Sequence, residues 1–187
     1  FLRGFDRALL VNYNDNIQLG LYNIAIGISG YLTIFQSSLQ QTFQPDIFEA
    51  VAKNNKKKLI TIIGGINVLN FIPIILFILF APFIIKILTA NRYTDAYIYA
   101  RILALTNVTM TLSYTLTGVF IAKGYSFLSM ISEVLGAIFS IAMFRFLISK
   151  YNFFGAAWGQ VISYIFILII GIFAYFVYKK ILKSKIK

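Results

Sequence analysis

The chain of 187 residues is 59% hydrophobic and 12% charged, with a mean hydropathy of +0.81, which lies far from the usage of a water-soluble domain. Its 17 Lys and Arg against 6 Asp and Glu give a net charge of +11, so the positions of these few charges say more than their number. Without cysteine or histidine, disulfide frameworks, thiolate nucleophiles, imidazole proton shuttles and Cys or His metal sites are excluded.

The chain opens FLRGFDRALL, with no initiator Met and no basic region, apolar core and cleavage site of a signal peptide. Phe1 to about Tyr13 is therefore expected to be a truncated span of a longer protein. Charge-free runs follow at Asn16 to Pro45, Leu59 to Ile85, Ile102 to Ala122 and Phe154 to Tyr178; Tyr125 to Ser149 is broken only by Glu133 and Arg145. Each exceeds the ~20 residues a helix needs to cross ~30 Å of hydrocarbon, where backbone groups must bond internally. The expected fold is all-α: a polytopic membrane helix bundle of five complete transmembrane spans plus the truncated one. They fall at about 1–13, 18–50, 59–88, 95–122, 125–149 and 154–178, with a basic tail at 179–187. Gly64, Gly65, Pro73 and Pro82 are tolerated inside such helices as kinks and close-packing points.

If consecutive spans alternate, Lys53, Lys56, Lys57, Lys58, Lys123, Lys179, Lys180, Lys183, Lys185 and Lys187 fall on one side. The other side receives Arg92 and Lys150, with Lys86, Arg101 and Arg145 near span ends. The cation excess puts KNNKKK and the C-terminal tail in the cytoplasm. Holding topology and touching anionic headgroups accounts for both basic clusters, so no nucleic-acid partner is expected.

Polar residues inside the spans carry the functional information. In the second span Gly20, Asn23, Gly27, Gly30, Ser37, Gln41 and Gln44 recur at intervals of three or four, interrupted only by Ile34, and make one small-and-polar face. Similar spacing links Asn107, Thr111, Thr115 and Gly118 in the fourth span and Ser126, Ser129, Glu133, Gly136 and Ser140 in the fifth. The third offers Asn67 and Asn70, the sixth Gly155, Gly159 and Ser163 with Gln160 beside them. Such faces either pack helices through small residues or line an aqueous cavity. The small residues favour packing; for Asn23, Gln41, Gln44, Asn67, Asn70 and Asn107 the two readings balance.

Charges are more telling, because an unpaired one at the bilayer centre costs at least ~2.5 kcal/mol on insertion scales. Arg3, Asp6 and Arg7 share one face with Asn14 and suit an internal ion pair plus one spare cation, or a structural pair with Arg3 at an interface. Glu133 lies about two turns into the fifth span, where it holds a proton, pairs with an Arg or sits near headgroups. Arg101 and Arg145 are within snorkelling reach of the outer surface. No paired carboxylates, Gly-rich phosphate loop or metal-ligand cluster is evident, so neither an enzyme nor a cofactor or metal is expected. A repeated filter motif of a channel is missing too.

Several segments, taken in order, resemble a known family: GFDRALLVNYND, LGLYNIAIGISGYL, the Gln-Pro-Asp-Ile-Phe of the second span, YTDAYIYARILAL, the Ala122, Lys123, Gly124 turn and YNFFGAAWGQVISY. Together they look like the C-terminal half of a Wzx-type polysaccharide flippase, of the superfamily that also holds the MATE drug exporters and lipid II flippases. The resemblance implies the C-terminal six-helix lobe of a two-lobed, MATE-like transporter in the bacterial inner membrane, with the N-terminal lobe preceding Phe1. It implies alternating access that moves an undecaprenyl-pyrophosphate-linked oligosaccharide repeat unit in O-antigen or polysaccharide biosynthesis, alongside a polysaccharide polymerase and a chain-length regulator. Such a headgroup needs cations for phosphate and amides for sugar. Arg3 and Arg7 are the candidates for the first, Asn23, Gln41, Asn67, Asn70 and Asn107 for the second, and Asp6 or Glu133 for a coupling ion or counter-charge. Pro45, Pro73 and Pro82 are either bending points or static kinks. The alternatives are a MATE-type exporter of drugs or small molecules, and a non-transporting scaffold or channel; Arg3, Arg7, Arg101 and Arg145 against Asp6 and Glu133 lean to the flippase.

Overall fold

The computed structural model describes residues 2–11 and 15–185, with side chains for 4–11 and 15–180. Among the described residues every regular element is helical: α1 (Leu2–Leu10), α2 (Asn16–Ala52), α3 (Lys56–Leu88), α4 (Ala96–Ala122) and α5 (Ser126–Lys185). Four of them, α2 to α5, are long and apolar enough to cross a membrane.

Local chemistry sets the helix ends. The Asp15 carboxylate accepts from the Gln18 backbone N–H at 3.0 Å and starts α2, and the Asn55 side chain does the same for Lys58 and α3, each satisfying a donor the first turn leaves without a partner. α2 ends with Asn54 at φ 50°, while the Asn55 N–H bonds back to Ala50 O and the Asn54 N–H to Val51 O. Gly124, at φ 77°, ends α4 with the same pair of bonds, a left-handed cap that turns the chain within three residues. Pro45 sits inside α2, which runs on to Ala52; Pro73 and Pro82 sit inside α3.

At Asn152, φ 49° and ψ −126° break α5. The arms 126–151 and 153–185 fold against each other, so the regions expected as the fifth and sixth spans form one hairpin. Phe139 stacks on Phe166 with ring centroids 3.7 Å apart, and Tyr125 meets Tyr178 at 4.9 Å. Glycines permit the close approach. A Cβ on Gly155 would overlap the Leu147 carbonyl, one on Gly136 the Ile167 side chain, and one on Gly159 the Phe144 ring at 2.7 Å. In lipid no hydrophobic gain drives helices together, so contact of this closeness supplies the cohesion.

α4 is the central helix, packed against α2, α3 and α5. Its Ala96, Ala100, Leu103 and Ala104 join Tyr22, Ala25, Ile74, Ala81, Phe144 and Ala157 in the main core. α3 turns Val68, Leu69, Ile72, Ile75, Leu76, Leu79, Phe80 and Phe83 outward, the composition of a surface that meets acyl chains.

Candidate functional site

Asp6 is completely buried. α1 presents its carboxylate to α2 and to the second arm of α5, where it accepts from the Tyr22 hydroxyl at 2.6 Å and from Gln160 Nε2 at 2.7 Å. Gln160 Nε2 also reaches the Tyr22 oxygen at 3.4 Å. Asp6 also accepts the Arg7 backbone N–H at Oδ1, 2.9 Å away, and no ion pair links Asp6 to Arg7 among the described residues. Asp6 is thus a junction of three helices, held by neutral donors. Sequence spacing missed Tyr22, whose hydroxyl is the closest partner, because a tyrosine within an apolar run reads as core.

Arg7 points away from that junction. Together with Ile26, Gly27, Gly30, Tyr31, Thr33, Ile34 and Ser37 it lines a groove of about 480 Å³. The groove runs along the small-and-polar face expected in the second span. On that face Asn23, Gly27 and Gln41 are exposed and Gly20, Gly30, Ser37 and Gln44 half-exposed, and nothing lies within 4 Å of a Cβ built on Gly20, Gly27 or Gly30. Arg7, Asn23 and Gln41 therefore share one open surface. The Arg3 side chain and Asn14 lie outside the described residues.

The other amides go elsewhere. Asn107 is buried, accepting from the Thr33 hydroxyl at 2.8 Å and donating to Leu103 O at 3.3 Å. Asn70 is buried and donates to Ile66 O at 3.0 Å; half-buried Asn67 donates to Ile63 O at 2.8 Å. Asn67 and Asn70 thus bond within α3, and Asn107 is taken up by the α2–α4 contact behind the groove, through Thr33. The remaining faces of the fourth and sixth spans are packing surfaces too: Thr111, Thr115, Gly118, Gly155, Gly159 and Ser163 are all buried. Arg101 donates from Nε to Ile78 O at 2.9 Å and lies over the Tyr97 ring at 5.2 Å, so it serves α3–α4 contact. Arg145 is exposed.

Glu133 is exposed on the first arm of α5 at the rim of a separate cavity of about 540 Å³, shared with Thr33, Met110, Ser113, Tyr114, Thr117 and Tyr164. Its fifth-span companions Ser129, Gly136 and Ser140 are buried, so that expected face is split between packing and cavity. Gln36 is 2% exposed, and neither atom of its amide has a partner among the described residues. The position falls between Ile34 and Ser37 of the expected polar face but off that face, so its periodicity leaves Gln36 out.

At one end of the bundle the α2–α3 and α4–α5 turns come together. Glu49 bonds Lys53 at 2.6 Å and Lys58 at 2.7 Å. Beside them Asn54, Asn55, Lys56, Lys123, Tyr125 and Tyr175 border a pocket of about 420 Å³. Three comparisons with known proteins give no matching family model, no matching curated protein and no matching solved structure.

Proposed function

We propose that the chain belongs to a membrane transporter that flips an undecaprenyl-pyrophosphate-linked oligosaccharide across the bacterial inner membrane by alternating access, without a covalent step. In this reading each arm of α5 crosses the bilayer, α2, α3 and α4 add three more crossings, and α1 ends a sixth. The turn bearing KNNKKK and the tail face the cytoplasm.

One observation carries the reading. α2 and α4 are the least apolar of the four long helices, yet half of the most apolar window of α4 is buried against less than a quarter of that of α2. Packing accounts for the polarity of α4. On α2 the exposed Asn23 and Gln41, on the face along which Arg7 lines its groove, need a wet neighbour, since unmatched polar groups are costly against hydrocarbon. A cavity shared with a second lobe satisfies them, and it offers a cation for pyrophosphate and amides for sugar while the lipid tail stays in the bilayer. Asp6, saturated by Tyr22 and Gln160, serves in this reading as a counter-charge that holds α1, and so Arg7, in place.

Replacing Arg3 and Arg7 together with Ala in the intact protein is expected to abolish surface polysaccharide while membrane insertion persists. Polysaccharide blots and immunoblots of the membrane fraction check this, and unchanged export would remove both residues from the site. Export of cationic drugs is the second reading, favoured by the Glu133 carboxylate over a cavity that includes Tyr114 and Tyr164. Drug resistance lost on Glu133→Gln with polysaccharide unaffected would select it.

A further inference from the structure

We propose that the pocket between the α2–α3 turn, the α4–α5 turn and the second arm of α5 binds the phosphodiester headgroup of an anionic membrane phospholipid.

Two cations, Lys56 and Lys123, line this pocket of about 420 Å³, and no carboxylate does. The two acids nearest this turn both face Lys58 and stay out of the pocket: Glu49 is bonded to Lys53 and Lys58 and Asp46 lies within electrostatic reach of Lys58, which leaves the charge of Lys56 and Lys123 for an external anion. The left-handed Asn54 and Gly124 caps bring the N-termini of α3 and α5 to the same end, adding their positive dipole ends to the lysine field. Lys123 is held in place over the Tyr175 ring at 5.4 Å. Amide groups of Asn54 and Asn55 and the Tyr125 hydroxyl complete a polar rim able to meet phosphate and glycerol oxygens.

The surroundings select a lipid over a free phosphate. Beneath the rim the wall is Ala50, Val51, Leu59 and Ala122, and within one turn Ile60 and Ile121 are exposed. That apolar track starts where acyl chains would leave the headgroup. Tyr125 meets Tyr178 edge-on beside it, an aromatic pair of the kind membrane proteins place where they meet headgroups. Basic pockets between spanning helices suit anionic headgroups, which a neutral choline lipid cannot match.

The test is native mass spectrometry of the intact protein in detergent, titrated with phosphatidylglycerol or phosphatidylcholine. Phosphatidylglycerol should bind preferentially, and Lys56→Gln with Lys123→Gln should weaken it roughly tenfold or more, from two lost lysine contacts. Lys57→Gln, on the same turn but outside the pocket, should leave affinity within about twofold of wild type. Leu59→Trp, which fills the pocket without changing charge, should weaken binding as well, so a double variant that does not fold leaves a second route to the answer. Equal losses for Lys57→Gln and the double variant would assign binding to diffuse charge and overturn the site, as would full binding to Leu59→Trp. Displacement of the lipid by equimolar inorganic phosphate would make the pocket a soluble-anion site. None of these outcomes touches the polar face of α2.

Discussion

Asp6 occupies a position where a carboxylate without donors would be expelled or would draw in a cation. Tyr22 and Gln160 meet it instead, at 2.6 and 2.7 Å. A hydrogen bond to a charged acceptor contributes about 1.5–3 kcal/mol, more than a neutral one. Tyr22→Phe is therefore expected to lower stability by about that amount, read as a lower thermal unfolding midpoint in detergent. An unaltered midpoint would mean that the carboxylate gains nothing from the hydroxyl. Gln36 is the reverse case. Its buried amide has no partner among the described residues, so replacing it with the similarly sized, apolar Met removes an unmatched group and should leave the midpoint unchanged or raise it. A drop of the size seen for Tyr22→Phe would show that Gln36 has a partner after all.

Elements were the most legible level of the sequence, and their joints the least. The expected spans 18–50, 59–88 and 95–122 lie within about three residues of the ends of α2, α3 and α4, because a bilayer fixes span length and basic turns punctuate it. The α5 hairpin turns on one left-handed asparagine, Asn152, a residue type that tolerates that conformation without requiring it. Its expected position between two spans was legible; the intimacy of the arms was not, since Gly-x-x-x-Gly is common in apolar runs. Gly155 and Gly27 separate the two uses of glycine. Gly155→Ala places a methyl against the Leu147 carbonyl, which is backbone and cannot yield, and should cost about 1–3 kcal/mol in thermal stability. Gly27→Ala meets open space at a mid-helix position and should leave stability unchanged or raise it by up to about 1 kcal/mol. At the end of α3, Ala90 holds φ 48° where glycine is the usual cap, so Ala90→Gly should stabilise the chain by up to about 1 kcal/mol, again seen in the midpoint.

Across the whole molecule, the arrangement sorts the polar residues into three sets that periodicity alone could not separate. Asn70, Asn107 and the small residues of α4 and α5 are spent on packing; Asp6, Tyr22 and Gln160 fasten α1 across 16 and 154 residues of sequence; Arg7, Asn23 and Gln41 remain on open surface. A sequence pattern reports which residues share a face, and the neighbour of that face is a property of the fold. This is why the polar stripe of α2 was legible while the partners of Asp6 and the splitting of the Glu133 face were not.

These 187 residues contain no cysteine, so a single introduced cysteine is the one thiol among them. Single cysteines at Asn23, Gly27, Ser37 and Gln41 on α2, and at Leu76, Leu79 and Phe83 on the outward face of α3, would be exposed in sealed vesicles to a charged, membrane-impermeant maleimide. If the α2 face lines an aqueous path, its cysteines react and those of α3 stay unmodified. Equal protection of both sets would place α2 against acyl chains and contradict a transport cavity there.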